Sequence, residues 1–132
     1  MPADERARRI VAMLEAGLLG EKLGRPRRDP ATMALLFDAV QDGIDHRRAP
    51  REPVVLQWEF TDAEPWHVRV ANGSARAAPG RVEHADVTYA ARYEDFVDVF
   101  AGRLDRRRAL ATRRLRPRGS PSALWRTRHV FG

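Results

Sequence analysis

The chain contains no cysteine. That absence excludes a disulfide framework, a thiolate nucleophile and any metal site built on sulfur, and it fits a reducing cytoplasm. Lysine is almost missing as well: of the 24 basic residues only Lys22 is not arginine. No apolar run is long enough to cross a bilayer, and the opening MPADERARRI lacks the apolar centre of a secretion signal, so a cytoplasmic, soluble protein is expected. Gly-x-Ser-x-Gly, paired histidines at helical spacing and a phosphate-cradling glycine loop are all absent, which removes the usual signatures of hydrolases, zinc enzymes and nucleotide binders.

What remains is a chain of 132 residues, expected to form one domain over 1–132 and to bury roughly two-thirds of its unfolded surface. The formal net charge of +6 is unevenly spread. Residues 103–132 hold ten arginines against Asp105 alone, a net of +9, and the preceding part sums to −3. Heavy use of Arg, Ala, Gly and Pro is first a mark of a GC-rich, bacterial genome, so the excess alone does not argue for nucleic acid.

The stretch from Val54 to Gly102 is the organising one. Val54, Leu56, Trp58 and Phe60 alternate with smaller or polar residues, the period of a strand with one buried face. Trp66, Val68 and Val70 repeat that alternation, and Asn72-Gly73, which readily takes positive φ, predicts a tight turn into a paired strand over Ser74 to Ala78. A fourth run, Ala85, Val87, Tyr89 and Ala91, gives way at Tyr93 to helical spacing that Gly102 stops.

Around this core the spacing predicts helices. Ala7, Ile10, Val11, Leu14 and Leu18 form one stripe, with Asp4 near its start and Gly20 near its end. After the polar GEKLGRPRRD, Asp29-Pro30 reads as cap and first turn of a second helix with Met33, Leu36, Phe37, Val40 and Ile44 on one side. Asp105 caps a short helix carrying Ala109, Leu110 and Ala111. Leu115 to Gly119 reads as extended, at a sheet edge because Pro117 has no N–H to donate. A last helix from Pro121 carries Leu124, Trp125, Val130 and Phe131.

Trp66-x-Val68-x-Val70-x-Asn72-Gly73, Ala85-Asp86-Val87-Thr88, Glu94-Asp95-Phe96, Gly102-x-Leu104, Ala109 and Leu115-x-x-x-Gly119 follow the order and spacing of the sterol carrier protein 2 (SCP2) family, which the chain resembles over residues 54–131. The resemblance implies an α/β (α+β) fold with about five helices on a roughly five-stranded twisted sheet. Between the layers it implies an apolar tunnel for fatty acyl chains, acyl-CoA, sterols or related lipids. Residues 1–50 form an N-terminal helical region where that family is least uniform. The chain departs from the pattern just before the last strand, where members commonly carry glycine and this chain has Arg113-Arg114, and within it at Pro117.

Composition alone favours an ordinary solid core, and the resemblance turns the reading towards a cavity. The candidate tunnel wall is Leu56, Trp58, Phe60, Trp66, Val87, Tyr89, Phe96, Val99, Phe100, Leu104, Leu110, Leu124, Trp125 and Phe131, with Trp125 and Phe131 as parts of a lid. Arg106, Arg107 and Arg108 are candidates for an anionic head group or an anionic membrane surface. No catalytic residue, metal ligand or cofactor is assigned. His67 should lie on the sheet face opposite Trp66, His84 and Asp86 at a strand entrance, Glu94 and Asp95 at the positive end of a helix, and Asp38, Asp42 and Asp45 on a solvated face. The first function class is therefore a non-catalytic carrier of a lipid-like ligand. The alternative is an enzyme or accessory factor of natural-product or lipid metabolism that steers a polyketide, terpenoid or acyl substrate in the same pocket. A buried His or carboxylate in the lining would favour that alternative. Nucleic-acid binding by the C-terminus ranks last, because aromatic and basic residues are not interleaved there as in a stacking platform. Oligomeric state is not legible.

Overall fold

The computed structural model describes residues 3–15 and 27–131. Its elements run α1 (Ala3–Glu15), α2 (Pro30–Asp42), β1 (Val54–Phe60), β2 (Trp66–Ala71), β3 (Ser74–Pro79), β4 (Val87–Ala91), α3 (Tyr93–Phe100), α4 (Arg106–Ala111), β5 (Leu115–Gly119) and α5 (Pro121–Arg126). This is an α+β fold on a mixed five-stranded sheet of order β3-β2-β1-β4-β5. Only β1 and β4 run parallel; the other neighbours are antiparallel.

The period-2 pattern sets the register. Val54 pairs with Val70, Leu56 with Val68 and Trp58 with Trp66, while Leu56 also pairs with Val87 and Trp58 with Tyr89 across β4. All the aromatic residues of the sheet and all its aliphatic ones except Val55 thus fall on one face. That face is covered by helices, and Ile10, Met33, Leu36, Phe37, Val40 and Ile44 meet it in a continuous core. The opposite face carries Gln57, Glu59, His67, Arg69, Arg116 and Arg118; Glu59 pairs there with Arg118 at 2.8 Å.

Turns and caps follow the sequence closely. Asn72 and Gly73 take φ of 52° and 75° in the β2–β3 hairpin. Asp29 accepts from the Thr32 N–H at 3.1 Å with Pro30 in the first turn of α2. Gly102, with φ 77°, closes α3, and the Arg103 N–H donates back to Asp98 O at 2.8 Å. Asp105 caps α4 by accepting from the Arg108 N–H. At the end of α4 the same reversal is made without glycine: Arg113 sits at φ 60°, and the Arg114 N–H reaches Ala109 O at 2.9 Å. The departure from the family pattern at that point is therefore a left-handed position occupied by arginine. Pro117 lies on the edge strand β5, opposite Tyr89, and Gln41 of α2 accepts the Ala77 N–H on the other edge strand at 2.7 Å.

Three expectations change. The helix predicted over residues 121–131 ends at Arg126, where the Thr127 hydroxyl donates back to Ala123 O at 2.8 Å; Val130 and Phe131 then enter the core from a turn. The cap bond of α3 comes from outside its own sequence: Asp62, in the β1–β2 connection, accepts from the Tyr93 N–H at 2.9 Å. Glu94 and Asp95 occupy its first turn without making that bond. The fourth strand begins at Val87, because Asp86 turns its carboxylate to the Val55 N–H at 2.8 Å and so ties the entrance of β4 to β1. Leu18 and Gly20 lie outside the described residues, as do the side chains of Asp4 and Leu14 and the loop through Pro26.

Candidate functional site

The apolar face of the sheet is strongest around Trp58. Its ring lies 5.4 Å from Tyr89, 5.6 Å from Phe37, 5.8 Å from Phe96 and 5.9 Å from Phe131, mostly in tilted or edge arrangements. Phe96 and Phe100, one helical turn apart on α3, bring their rings to 4.6 Å of each other. Rings packed this way do not close on one another completely. A cavity of about 280 Å³ remains, lined by Trp58, Tyr89, Phe96, Val99, Phe100, Leu115 and Phe131 together with Arg6 and Arg106. Arg106 is exposed, so the space reaches solvent at the start of α4.

Of the residues expected at a tunnel wall, Trp58, Tyr89, Phe96, Val99, Phe100 and Phe131 line this cavity. Leu56, Phe60, Trp66 and Val87 belong to the surrounding core, Leu56 and Val87 in its interior and Phe60 stacked edge-on to Tyr93. Leu124 packs on the same core, and Leu104 packs on a small satellite of Ala91, Ala109 and Leu115. Leu110 and Trp125 are elsewhere. Leu110, 40% exposed, borders a surface cleft with Ala90 and Pro117. The short α4 has one inward position, and Ala109 takes it. Trp125 is 66% exposed and holds the Arg128 guanidinium 3.6 Å from its ring centre, so only Phe131 of the two lid candidates reaches the cavity. Arg106 lines it, while Arg107 and Arg108 face solvent on α4.

Two lining residues were not anticipated. Leu115 enters because the first residue of β5 points to the covered face opposite Ala91. Arg6 enters from α1. It stands one turn before Ile10, so an arginine occupies the apolar stripe of that helix, which was the available signal. The residue is only 9% exposed. Its guanidinium lies over Phe100 at 4.8 Å and Phe131 at 5.6 Å and donates to the Phe131 carbonyl oxygen at 3.2 Å. Burial first, and then the neighbouring Arg106 charge, pull its ionisation down to about 10. Tyr89 adds a hydroxyl next to Thr127; burial raises its ionisation, opposed by that hydrogen bond.

Acid–base machinery is thin. His84 is exposed beside Glu83, and His67 places Nδ1 2.9 Å from Gly80 O on the uncovered sheet face. Asp42 pairs with Arg9 at 2.7 Å and Asp45 with Arg48 at 3.6 Å. Among the described residues no three His, Asp or Glu side chains form a metal-binding group, and no helix is long and apolar enough to cross a membrane.

Comparison with known proteins locates the fold. Residues 29–131 match the model of the alkyl sulfatase C-terminal family. Among solved structures, the stereoselective inverting sec-alkylsulfatase Pisa1 from Pseudomonas sp. superposes with a TM-score of 0.60 at 21% identity, covering 77% of this chain and 16% of that one. The chain thus spans about a sixth of the alkylsulfatase it matches. Sterol carrier protein 2 from Yarrowia lipolytica in its apo form gives a TM-score of 0.52 at 18% identity over 75% of this chain and 96% of that one. A search of curated protein sequences finds no match. With its five-stranded sheet, covering helices and SCP2-like architecture, the chain belongs to the alkyl sulfatase C-terminal family.

Proposed function

We propose that this domain binds a lipid-like apolar ligand between sheet and helices and performs no chemistry on it. The observation that carries the reading is the cavity of about 280 Å³ walled by Trp58, Tyr89, Phe96, Val99, Phe100, Leu115 and Phe131. Ligand sites are typically concave and mainly apolar, with a few polar groups that fix orientation, and this lining has that composition. Its polar members are two arginines and a tyrosine. A histidine or carboxylate in the wall would have favoured the catalytic or substrate-steering alternative, and the lining contains neither. The fold shared with sterol carrier protein 2, a protein named for carrying sterols, supports the same reading.

At about 280 Å³ the space lies near the small end of the usual ~300–1,000 Å³ range of ligand pockets, so a medium-chain probe suits it. Titration of the protein with a fluorescent medium-chain fatty-acid analogue should give saturable binding that unlabelled chains compete away. A linear, non-saturable signal insensitive to competitor would refute the reading.

A further inference from the structure

Helix α1 precedes the residues that the family model matches, yet it supplies part of the cavity wall. Its hold on the rest of the molecule is slight. Among its described side chains only Arg6 and Ile10 are buried, and Arg9 adds a surface pair with Asp42, which contributes little in water. It packs mainly on α2 and α3, and no sheet hydrogen bond secures its backbone.

Arg6 makes this contact specific and costly at once. Gly43, at the end of α2, leaves a seat under the stem, where a Cβ would strike the Arg6 Cδ. From that seat the guanidinium lies over Phe100 and Phe131 and donates to the Phe131 carbonyl oxygen at 3.2 Å. Against this, a charge is taken out of water with no ion pair among the described residues, and its Nε keeps no hydrogen-bond partner. Arg106, exposed where the cavity reaches solvent, repels it as well. Moving α1 outward returns the guanidinium to water, relieves that repulsion and uncovers Phe100 and Phe131 beside the opening. Leu36, Phe37, Val40, Leu56 and Trp58 keep the sheet and its other helices joined when α1 leaves, so the movement is local.

We propose that α1 is a displaceable strap over the cavity: seated by Arg6 on Gly43 it narrows the way in beside Arg106, and lifted it opens that way to an apolar ligand. The inference rests on the reading of the cavity as a ligand site and adds how that site is entered.

The absence of cysteine allows a single, defined clamp. A Cβ built at Gly102 stands 3.6 Å from the Ala7 Cβ, inside the span of a disulfide, so Ala7→Cys with Gly102→Cys ties α1 to the end of α3 and leaves Arg6 in place. The strain of a side chain at the left-handed φ of residue 102 is present in the oxidised and reduced forms alike, and the comparison is made within one protein. Stopped-flow mixing with a fluorescent medium-chain fatty-acid analogue should show association slowed about tenfold or more after oxidation with glutathione disulfide, and restored by dithiothreitol. Hydrogen exchange of the unsubstituted full chain gives a second measure. The Ile10 and Val11 amides should exchange about tenfold or more faster than the Trp58 amide of the central strand, through an opening that leaves the sheet closed. Equal association rates in the two redox forms, or α1 amides protected as strongly as that of Trp58, overturn the strap while the cavity reading stands. Failure of the analogue to bind the unsubstituted protein overturns the cavity reading and the strap with it.

Discussion

Gly43 gives the sharpest test of how Arg6 is held. Its φ of −83° suits any residue, so alanine meets no backbone penalty there, and loss of unfolded-chain freedom should by itself stabilise the protein by about 0.4–1 kcal/mol. The opposing effect is steric. The new methyl would fall on Cδ of the Arg6 stem and press on Cγ at 3.0 Å, and because that stem is held in the core the side chain must swing away or α1 must shift. Overpacking of this kind costs ~1–3 kcal/mol, which leaves Gly43→Ala destabilised by about 1–2 kcal/mol. In an Arg6→Ala background the Cγ and Cδ atoms are gone and only the Cβ, 3.2 Å from the added methyl, remains to adjust. There the same substitution should be neutral or slightly stabilising. Urea unfolding of the wild type, both single variants and the double variant therefore should show a coupling of about 1–2 kcal/mol, well above the ~0.5 kcal/mol scatter of independent sites. Additivity within that scatter would refute the packing of Arg6 on Gly43.

Phe37→Ala removes a ring that stacks on Trp66 at 4.6 Å and does not line the cavity, and should cost ~3–5 kcal/mol; Phe100→Ala enlarges an existing void and should cost measurably less while abolishing ligand binding. Equal losses in thermal melts would make Phe100 ordinary core. The Tyr93 hydroxyl is buried without a partner, and burial, with the Asp29 charge, raises its ionisation above the usual tyrosine range. Stability is therefore independent of this group below pH ~10 and falls as pH rises beyond it, where ionisation favours the unfolded chain. Tyr93→Phe should flatten that alkaline loss and stabilise the protein at pH 7 by about 1 kcal/mol, read by denaturant midpoints at both pH values. Arg113→Gly should stabilise by about 1 kcal/mol by removing a side chain from a left-handed position; a lower melting temperature would contradict this. The exposed Arg107 and Arg108 of α4 should give salt-sensitive cosedimentation with anionic but not neutral vesicles, lost on replacing both with glutamine.

The sheet was legible because its signal is local. Trp58 and Trp66 stand in strands whose alternation fixes which way each points, and the hairpin between β2 and β3 announces itself in Asn72-Gly73. The aromatic wall followed from the same alternation plus the turn spacing of Phe96 and Phe100. What could not be read are contacts made across long separations by residues with an ordinary local role. Asp62 looks like a loop acid, yet it caps a helix 31 positions away. Arg6 stands on the apolar stripe of α1, a signal that says it could turn inward but not what it would meet. Only the packing of α1 against α2 and α3 turns it inward. Trp125 shows the converse: an aromatic residue near a helix end suggests burial, and a short α5 leaves it outside beside Arg128.

The two borders of the sheet are built differently and lead to the same outcome. On β3, the Ala77 amide is already held by Gln41, and on β5, Pro117 has no amide to offer and arginines flank it on both sides. A neighbouring chain that tried to extend this sheet would meet an occupied donor at one border, and a missing donor amid like charges at the other. The domain can therefore display an open, strongly cationic strand without recruiting copies of itself, and concentrated solutions should stay free of β-rich assemblies as long as Gln41 and Pro117 are in place.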